Sequence, residues 1–595
     1  MERRVFLAIV LSFLVLYLYQ SYFVPPLPPP KPAASAGQAQ SAAAGSATGK
    51  APVSPPTAAP GASTAPPAAQ HPQALVTEPS EREITVDTTT VQAVLTNRGG
   101  RLLHWRLKQY HDASGQPVDL VPGGLPPTEQ LPFSLRIDQS DLTPRLNDSL
   151  YRVMGDAGGH VDATKAPATV SFDYQDASGL RVRKDFTFDP ANYTVALSVN
   201  AADGDSAINP SVVWGPGPGD IVPSPATPGF FNRGTVQVPE LILHRAGKVE
   251  RVAITSISGQ PIQEGQFRFA GVDDHYFMIA AVNPGQARVE TRALVVPGLS
   301  DTRRQLISHA IRFTQPPMNA RFFIGPKVFD LMQAIDAQLF GNEAIFRRAV
   351  NFGIFQWLAV PLLGALKWIH GLVGNWGWSI VLLTVLINLA MFPLRHKSVV
   401  SMRRMQEIQP QIKAIQDRYA NLKVTDPARQ KMNTEVMGLY REKGVNPASG
   451  CVPMVLMMPV LFAFYAMLGY AIELRGAQFG WWIKDLSQPD PFFVIPLLVI
   501  VSQIGLQRLT PNTSMDPTQQ KMMTFMMPVM FGFIFMTAAA GTALYWLVSN
   551  VWAVGQQYFT NWLIGPPTVP APRPAAERRL KNAGGGRTAG AEKHP

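Results

Sequence analysis

The chain has 595 residues and a net charge of +11, yet only 16% of it is charged, against roughly 25% in an average soluble domain. A single cysteine, Cys451, excludes an internal disulfide framework. No H-E-x-x-H, G-x-S-x-G or G-x-x-x-x-G-K-[ST] motif occurs, so nothing points to zinc proteolysis, acyl-enzyme chemistry or nucleotide hydrolysis.

The chain opens "MERRVFLAIVLSFLVLYLYQSYFV". The apolar stretch at 5–24 exceeds the roughly 7–15 residues of a signal-peptide core. It ends in Tyr17, Tyr19, Tyr22 and Phe23 and runs into prolines rather than a small-residue cleavage site. An uncleaved transmembrane anchor is predicted over 1–24. Residues 25–74 are mostly Pro, Ala, Ser and Gly. Such a segment has little to bury and reads as an extended linker.

Residues 75–320 alternate apolar and polar side chains between Gly and Pro punctuation, as in "LRVRKDFTFDPANYTVALSVN" (180–200). This predicts an all-β sandwich. His275 in "DDHYF" is a lone histidine beside aromatics and reads as structural. A binding or spacing role fits the domain. Residues 321–375 begin at helical spacing, with Phe329, Met332 and Ile335 on one face next to Leu331. That pattern predicts an amphipathic helix region along a membrane surface.

Five apolar segments follow, at 376–394, 452–472, 491–509, 521–538 and 541–561, and none contains Asp or Glu. Each approaches the roughly 20 residues needed to cross a bilayer. With the anchor, they predict a polytopic bundle of six spans, five of them in a core at 376–562. The last two are joined by the small-residue turn "AAAGT" (538–542).

Lys and Arg set the orientation. The 395–450 segment carries Arg395, Lys397, Arg403, Arg404, Lys413, Arg418, Lys423, Arg429, Lys431, Arg441 and Lys443, whereas 473–490 has only Arg475 and Lys484. Both termini are therefore expected in the cytoplasm and the β domain outside. Within 395–450, Met405, Ile408, Ile412 and Ile415 form one stripe, and Met432, Val436, Leu439 and Tyr440 another. Two antiparallel helices are predicted, broken near 423–429, where Asp426 caps a helix that starts at Pro427. The tail at 563–595 is basic and Gly-rich.

Inside the first core segment stands Asn388, with Thr384 one turn earlier on the same face. At 1.5 Å per residue, Asn388 lies about 10 Å from Arg395, within the hydrocarbon zone. A carboxamide there needs partners, which either glue helices together or line a polar interior; residue chemistry leaves both open. Ser502, Gln503, Gln507, Thr537, Thr542, Tyr545, Ser549 and Asn550 offer further polar groups. Methionines are frequent: Met454, Met457, Met458, Met467, Met522, Met523, Met526, Met527, Met530 and Met536. They suit core filling or surfaces that adapt to many partners.

Several stretches resemble the YidC/Oxa/Alb insertase family in its six-span Gram-negative form. They are "LKWIHGLVGNWGWSIVLLT" (366–384), "VNPASGCVPMVLMMPVLFAFYAML" (445–468), "AIELRGAQFGWWIKDLSQPDPFFVIPLL" (471–498), "DPTQQKMMTFMMPVMF" (516–531) and "LYWLVSNVWAVGQQ" (544–557). "RFFIGPKVFDLM" and "DDHYF" resemble its outer region. The resemblance implies a non-enzymatic, cofactor-free protein of the bacterial inner membrane with a periplasmic domain. It would take hydrophobic segments of nascent membrane proteins into the bilayer as a monomer, alone or beside the Sec translocon, with membrane lipids around it. The ribosome is an expected partner of the cytoplasmic loops and tail. The implied substrate site is a hydrophilic groove open to the cytoplasm, with Thr384, Asn388, Arg395, Met457, Gln503, Tyr545 and Trp546 as its expected residues.

One departure matters. The bacterial family carries an arginine where this chain has Asn388. The expectation is that Asn388 keeps the groove wet while Arg395, seven residues on, supplies the charge. The turn Ala539-Ala540-Gly541 and the pair Tyr545-Trp546 also differ from the family's usual Pro-Ser-Gly-like turn and paired tyrosines. Two other classes compete: a secondary transporter, which calls for paired midplane charges that the spans lack, and a passive assembly scaffold, which needs no polar lining.

Overall fold

The computed structural model describes residues 72–565 apart from 113, 139–140, 156–157, 221–223, 226–237, 298–301, 315–317, 420–427, 446–451 and 510–516. The expected anchor at 1–24, the linker up to 71 and the tail from 566 lie outside the described residues. The chain divides into two compact units that part between Gly325 and Pro326.

The first unit is built on two sheets, of fifteen and five strands among the described residues. Ala168–Asp176, Leu180–Phe188 and Thr194–Asp203 form an antiparallel meander in the larger sheet. In Leu180–Phe188 the inward positions are Leu180, Val182, Lys184, Phe186 and Phe188, while Arg181 and Arg183 face out. The period of two thus buries one face, with a lysine in the middle of it. A second meander runs through Ile262–Asp273, Phe277–Pro297 and Thr302–Phe313. The "DDHYF" motif is the turn between its first two strands. Asp274 Oδ1 accepts from the backbone N–H groups of Tyr276 (2.7 Å) and Phe277 (2.6 Å). His275 lies edge-on to Tyr276, with ring centroids 4.5 Å apart. Among the described residues no group of three His, Cys, Asp or Glu could hold a metal.

The smaller sheet runs Pro117–Asp119, Arg101–His111, Val91–Thr96, Glu83–Asp87, His160–Asp162, and its last pair is parallel. Trp105 joins the sheets: its ring stacks on Phe188 at 6.2 Å and its Nε1 donates to Ile324 O at 2.8 Å. Lys184 is fully buried and donates to three carbonyls, of Gly99 (2.6 Å), Phe133 (2.9 Å) and Gly100 (3.2 Å). Burial holds its pKa well below the ordinary lysine value, and Arg101 nearby adds to the shift. One short helix, α1 (Leu142–Asp148), interrupts the strands. The unit's last strand, Met318–Pro326, passes the expected boundary at 320 and pairs with Thr194–Asp203.

The second unit is helical. In α2 (Phe329–Phe340), Phe329, Met332 and Ile335 are buried on the one face their spacing sets. Asp336 is buried beside them and accepts from the N–H groups of Phe346 (2.6 Å), Ile345 (3.2 Å) and Arg347 (3.2 Å). It folds the following loop back onto the helix. α3 (Gln356–Val373) ends at Gly374, whose φ of +72° permits the left-handed cap that donates to His370 O at 2.7 Å. Asn375 then caps α4 (Trp376–Arg418), accepting from Trp378 N at 3.1 Å.

The sequence pattern ends the first core segment at 394, but α4 is 43 residues long in all and runs through Pro393 and Pro410 to Arg418. A proline inside a helix costs about 3 kcal/mol, and here tertiary packing holds the extension. Ile408 and Ile412 bury against Val445, with Met405, Val436, Leu439 and Tyr440 around them. The partner helix α5 (Ala428–Glu442) runs antiparallel, since Arg418 meets Glu435 at 3.0 Å at the far end from that cluster. The expected break at Asp426-Pro427 lies outside the described residues.

α6 (Val452–Tyr470), α7 (Val494–Leu509), α8 (Pro517–Thr537) and α9 (Ala540–Ile564) complete the unit. Asp490 precedes α7 and accepts from Ile495 N at 2.7 Å. Among the described residues, one helical segment, Trp376–Met405, is long and apolar enough to cross a bilayer by composition. Met457–Tyr470, Val494–Leu509 and Thr524–Thr537 are apolar but shorter. α9 is long enough, but Asn550, Gln556, Gln557 and Asn561 lower its apolar character.

Candidate functional site

A cavity of about 590 Å³ opens between α4, α6, α7 and α9. α4 contributes Arg395, Ser398 and Val399; α6 contributes Met457, Met458 and Leu461; α7 contributes Gln503 and Leu506. α9 contributes Tyr545, Trp546, Ser549, Asn550, Ala553, Gln556 and Gln557. These α9 positions recur at helical spacing and form a single face. Arg395 is the only charged residue among the cavity's described lining.

Each wall is fixed locally. Arg395 Nε donates to Met457 Sδ at 3.1 Å. A thioether is a weak acceptor, so a guanidinium with five N–H donors stays largely available. The Tyr545 ring stacks on Phe464 at 4.2 Å. Trp546 packs against Phe531 (5.5 Å) and Phe535 (5.4 Å), tying α9 to α8. Asn550 Nδ2 donates to Ser502 Oγ at 3.1 Å, and that hydroxyl donates to Val499 O at 3.0 Å. Gln503 Oε1, Gln556 Oε1 and Trp546 Nε1 are buried without a hydrogen-bond partner among the described residues.

Of the residues expected from sequence, Arg395, Met457, Gln503, Tyr545 and Trp546 meet at this cavity. Thr384 and Asn388 are not among its lining residues. Both are buried, at 0% and 3% exposure. Thr384 Oγ1 donates to Ile380 O at 2.6 Å, and Asn388 Nδ2 donates to Thr384 O at 2.8 Å. Each therefore hydrogen-bonds along its own helix.

Ser398, Gln556 and Gln557 were not singled out from sequence. The available signal was spacing: Gln556 falls eleven residues after Tyr545, and Gln557 eleven after Trp546, three helical turns along one face. Below the cavity, α9 is latched to α4. Arg403 Nη1 donates to Gly565 O at 2.5 Å and Nη2 to Asn561 Oδ1, and Gln557 Nε2 donates to the same oxygen at 3.1 Å. A cation at a helix C-terminus also meets the negative end of its dipole.

The outer surface of these helices is apolar. Leu386 and Leu389 of α4, Leu497 and Val501 of α7, Phe525 and Ile534 of α8, and Val551 and Trp562 of α9 are all exposed. Exposed apolar area on this scale marks a surface made for lipid or protein rather than water. The cavity thus sets one cation and several polar groups in a lining that is otherwise largely apolar, and the helices around it are greasy outside.

A family model described as "60Kd inner membrane protein" matches residues 368–565, and one described as "YidC periplasmic domain" matches 83–365. The chain is 31% identical over 576 residues to a membrane protein insertase YidC of Syntrophus aciditrophicus, covering 94% of this chain and 99% of that protein. It is 32% identical over 575 residues to the same-named protein of Geobacter metallireducens, covering 94% and 98%. A solved structure described as an active YidC insertase with its first transmembrane domain resolved aligns at 19% identity and a TM-score of 0.34, covering 82% of this chain and 95% of that one. The chain belongs to the YidC family of membrane protein insertases, non-enzymatic inner-membrane proteins with a periplasmic domain.

Proposed function

We propose that this protein accepts hydrophobic segments of nascent inner-membrane proteins and releases them into the bilayer, with the Arg395–Gln503–Tyr545 cavity as its groove. The observation that carries this reading is one cavity that brings a cation and several polar side chains between helices whose outer faces are apolar. A charged or polar tail costs about 2.5–3.5 kcal/mol per charged residue at a bilayer centre. A groove that shelters the tail from the cytoplasmic side shortens that crossing, while the apolar segment moves along the greasy wall. The methionines at 457 and 458 line the same cavity and suit clients of varied shape.

In this reading the chain has six spans, with five in the core and both termini in the cytoplasm. It works as a monomer among membrane lipids, alone or beside the Sec translocon. The basic 395–450 segment and the tail supply cytoplasmic contacts for a ribosome. The test is insertion of a single-span client into proteoliposomes by the full-length protein. Arg395→Ala, Gln503→Ala and Tyr545→Ala combined are expected to lower insertion about tenfold or more, as for the loss of two or three hydrogen-bonding groups. Unchanged insertion would leave the helices a passive scaffold.

A further inference from the structure

Among the cavity's polar groups are both donors and acceptors that lack a strong partner. Among the described residues, Arg395 offers N–H donors that a single thioether occupies, and Trp546 Nε1 is a donor with no partner. Gln503 Oε1 and Gln556 Oε1 are acceptors with no partner among the described residues, and Gln556 is 8% exposed. Buried, unpaired polar atoms are costly until something pairs with them. A carboxylate side chain is acceptor-only. It would satisfy Arg395 and Trp546 but has no hydrogen to give the two glutamine oxygens, which would stay without a donor. A peptide main chain presents N–H and C=O together and serves both kinds of group. An extended segment carries these groups unpaired, and in hydrocarbon each one costs several kcal/mol.

We propose that the cavity receives the client's flanking segment through its main-chain amides, so that the polar substrate is neutral extended peptide rather than acidic peptide. This rests on the groove reading above. Gln503 and Gln556 accept main-chain N–H groups, and Arg395 and Trp546 donate to main-chain carbonyls. Side-chain charge on the tail is then a minor determinant of entry, and removal of main-chain N–H groups is a major one.

The experiment uses the full-length protein in proteoliposomes and a single-span client with three tails of equal length: Gly/Ser, Gly/Ser with proline at alternate positions, and Gly/Ser with Asp at alternate positions. Proline keeps the carbonyl and removes the N–H. The wild-type protein is expected to insert the first and third tails to within about twofold of each other, and the proline tail about fivefold less, the worth of roughly one hydrogen bond. Gln503→Leu with Gln556→Leu should lower the Gly/Ser tail to the proline tail's level and leave the proline tail where it was. Trp546→Phe, which removes one N–H and keeps the aromatic packing, gives a milder variant that does not disturb folding of the core. Its loss should be smaller and equal for the Gly/Ser and proline tails, whose carbonyls are the same. A photocrosslinker at position 457, read with the same clients, separates the two ideas. Crosslinks to all tails without dependence on main-chain N–H would overturn the main-chain proposal and leave the groove standing. Absence of crosslinks to any tail would remove both.

Discussion

Asn388 and Thr384 are bonded to each other along one helix: the Asn388 amide donates to the Thr384 carbonyl at 2.8 Å, and the Thr384 hydroxyl donates one turn further back to Ile380. An amide in an apolar helix is thereby partly satisfied without reaching the cavity. Asn388→Ala is therefore expected to change insertion by less than about threefold, since an intramembrane hydrogen bond averages about 0.6 kcal/mol. A larger loss, confined to clients with neutral tails, would show that Asn388 turns into the groove during insertion.

Arg395 carries the opposite expectation. Its guanidinium lines the cavity and, among the described residues, hydrogen-bonds only to Met457 Sδ. Arg395→Ala should cut insertion about tenfold. Arg395→Lys should keep part of the function, because the charge survives while the planar fork that can grip two carbonyls does not. Initial insertion rates of the two variants, compared at equal protein incorporation, decide this; equal loss in both would point to fork geometry alone.

In the outer domain, Lys184 is a strut. Its ammonium closes three carbonyls between the sheets, of Gly99, Gly100 and Phe133. Lys184→Met keeps the volume and leaves three buried acceptors unpaired, at about 1–3 kcal/mol for each group that water cannot reach. The domain should unfold at visibly lower denaturant, followed by the fluorescence of its tryptophans, of which Trp214 packs on Phe133. An unchanged midpoint would mean the carbonyls find other partners.

His309 sets a pH dependence. It is 2% exposed, its Nδ1 has no partner among the described residues, and burial pushes its pKa down to about 4. The unfolded chain takes up this proton near pH 6.5. Above that, both states are neutral and His309 adds no slope. Between about 6.5 and 4 the unfolded state binds more protons, so stability falls with falling pH by about 3 kcal/mol, then levels off. Denaturant midpoints of the outer domain across pH 7.5 to 4 in wild type and His309→Leu check this; the slope should be shallower in the variant.

Asp336 fixes the start of the helical unit. Its carboxylate accepts from the three successive N–H groups at 345–347. Asp336→Ala should cost about 3 kcal/mol, as for other buried charged acceptors removed from their donors. Protease cleavage between α2 and α3 should rise in that variant, and a cleavage pattern identical to wild type would contradict the role.

Much of this architecture was legible in the sequence because its signals are local. Alternation in "LRVRKDFTF" named the inward face of a strand, and the stripe at 405, 408 and 412 named one side of a helix pair. Arg395, Met457, Gln503, Tyr545 and Trp546 were expected through the family resemblance, and they meet at one cavity. What the sequence hid depends on contacts between distant segments. The unbroken run of α4 through Pro393, which joins the first core segment to the first helix of the pair, goes against the local rule that proline ends a helix. The inward lysine at 184 breaks the apolar pattern, and only the carbonyls of residues 99, 100 and 133 explain it. Asn388 shared a face with Thr384, as its spacing required, but spacing alone could not say whether that face lined the cavity.

The most direct test is site-specific photocrosslinking to a ribosome-stalled single-span client, with the probe placed in turn at 457, 503, 545 and 388 of the full-length protein in membranes. The groove account predicts crosslinks from 457, 503 and 545 that vanish when the client lacks its apolar segment, and weak or no crosslinks from 388. Strong crosslinks from 388 with none from the other three would contradict it and move the substrate path off the cavity.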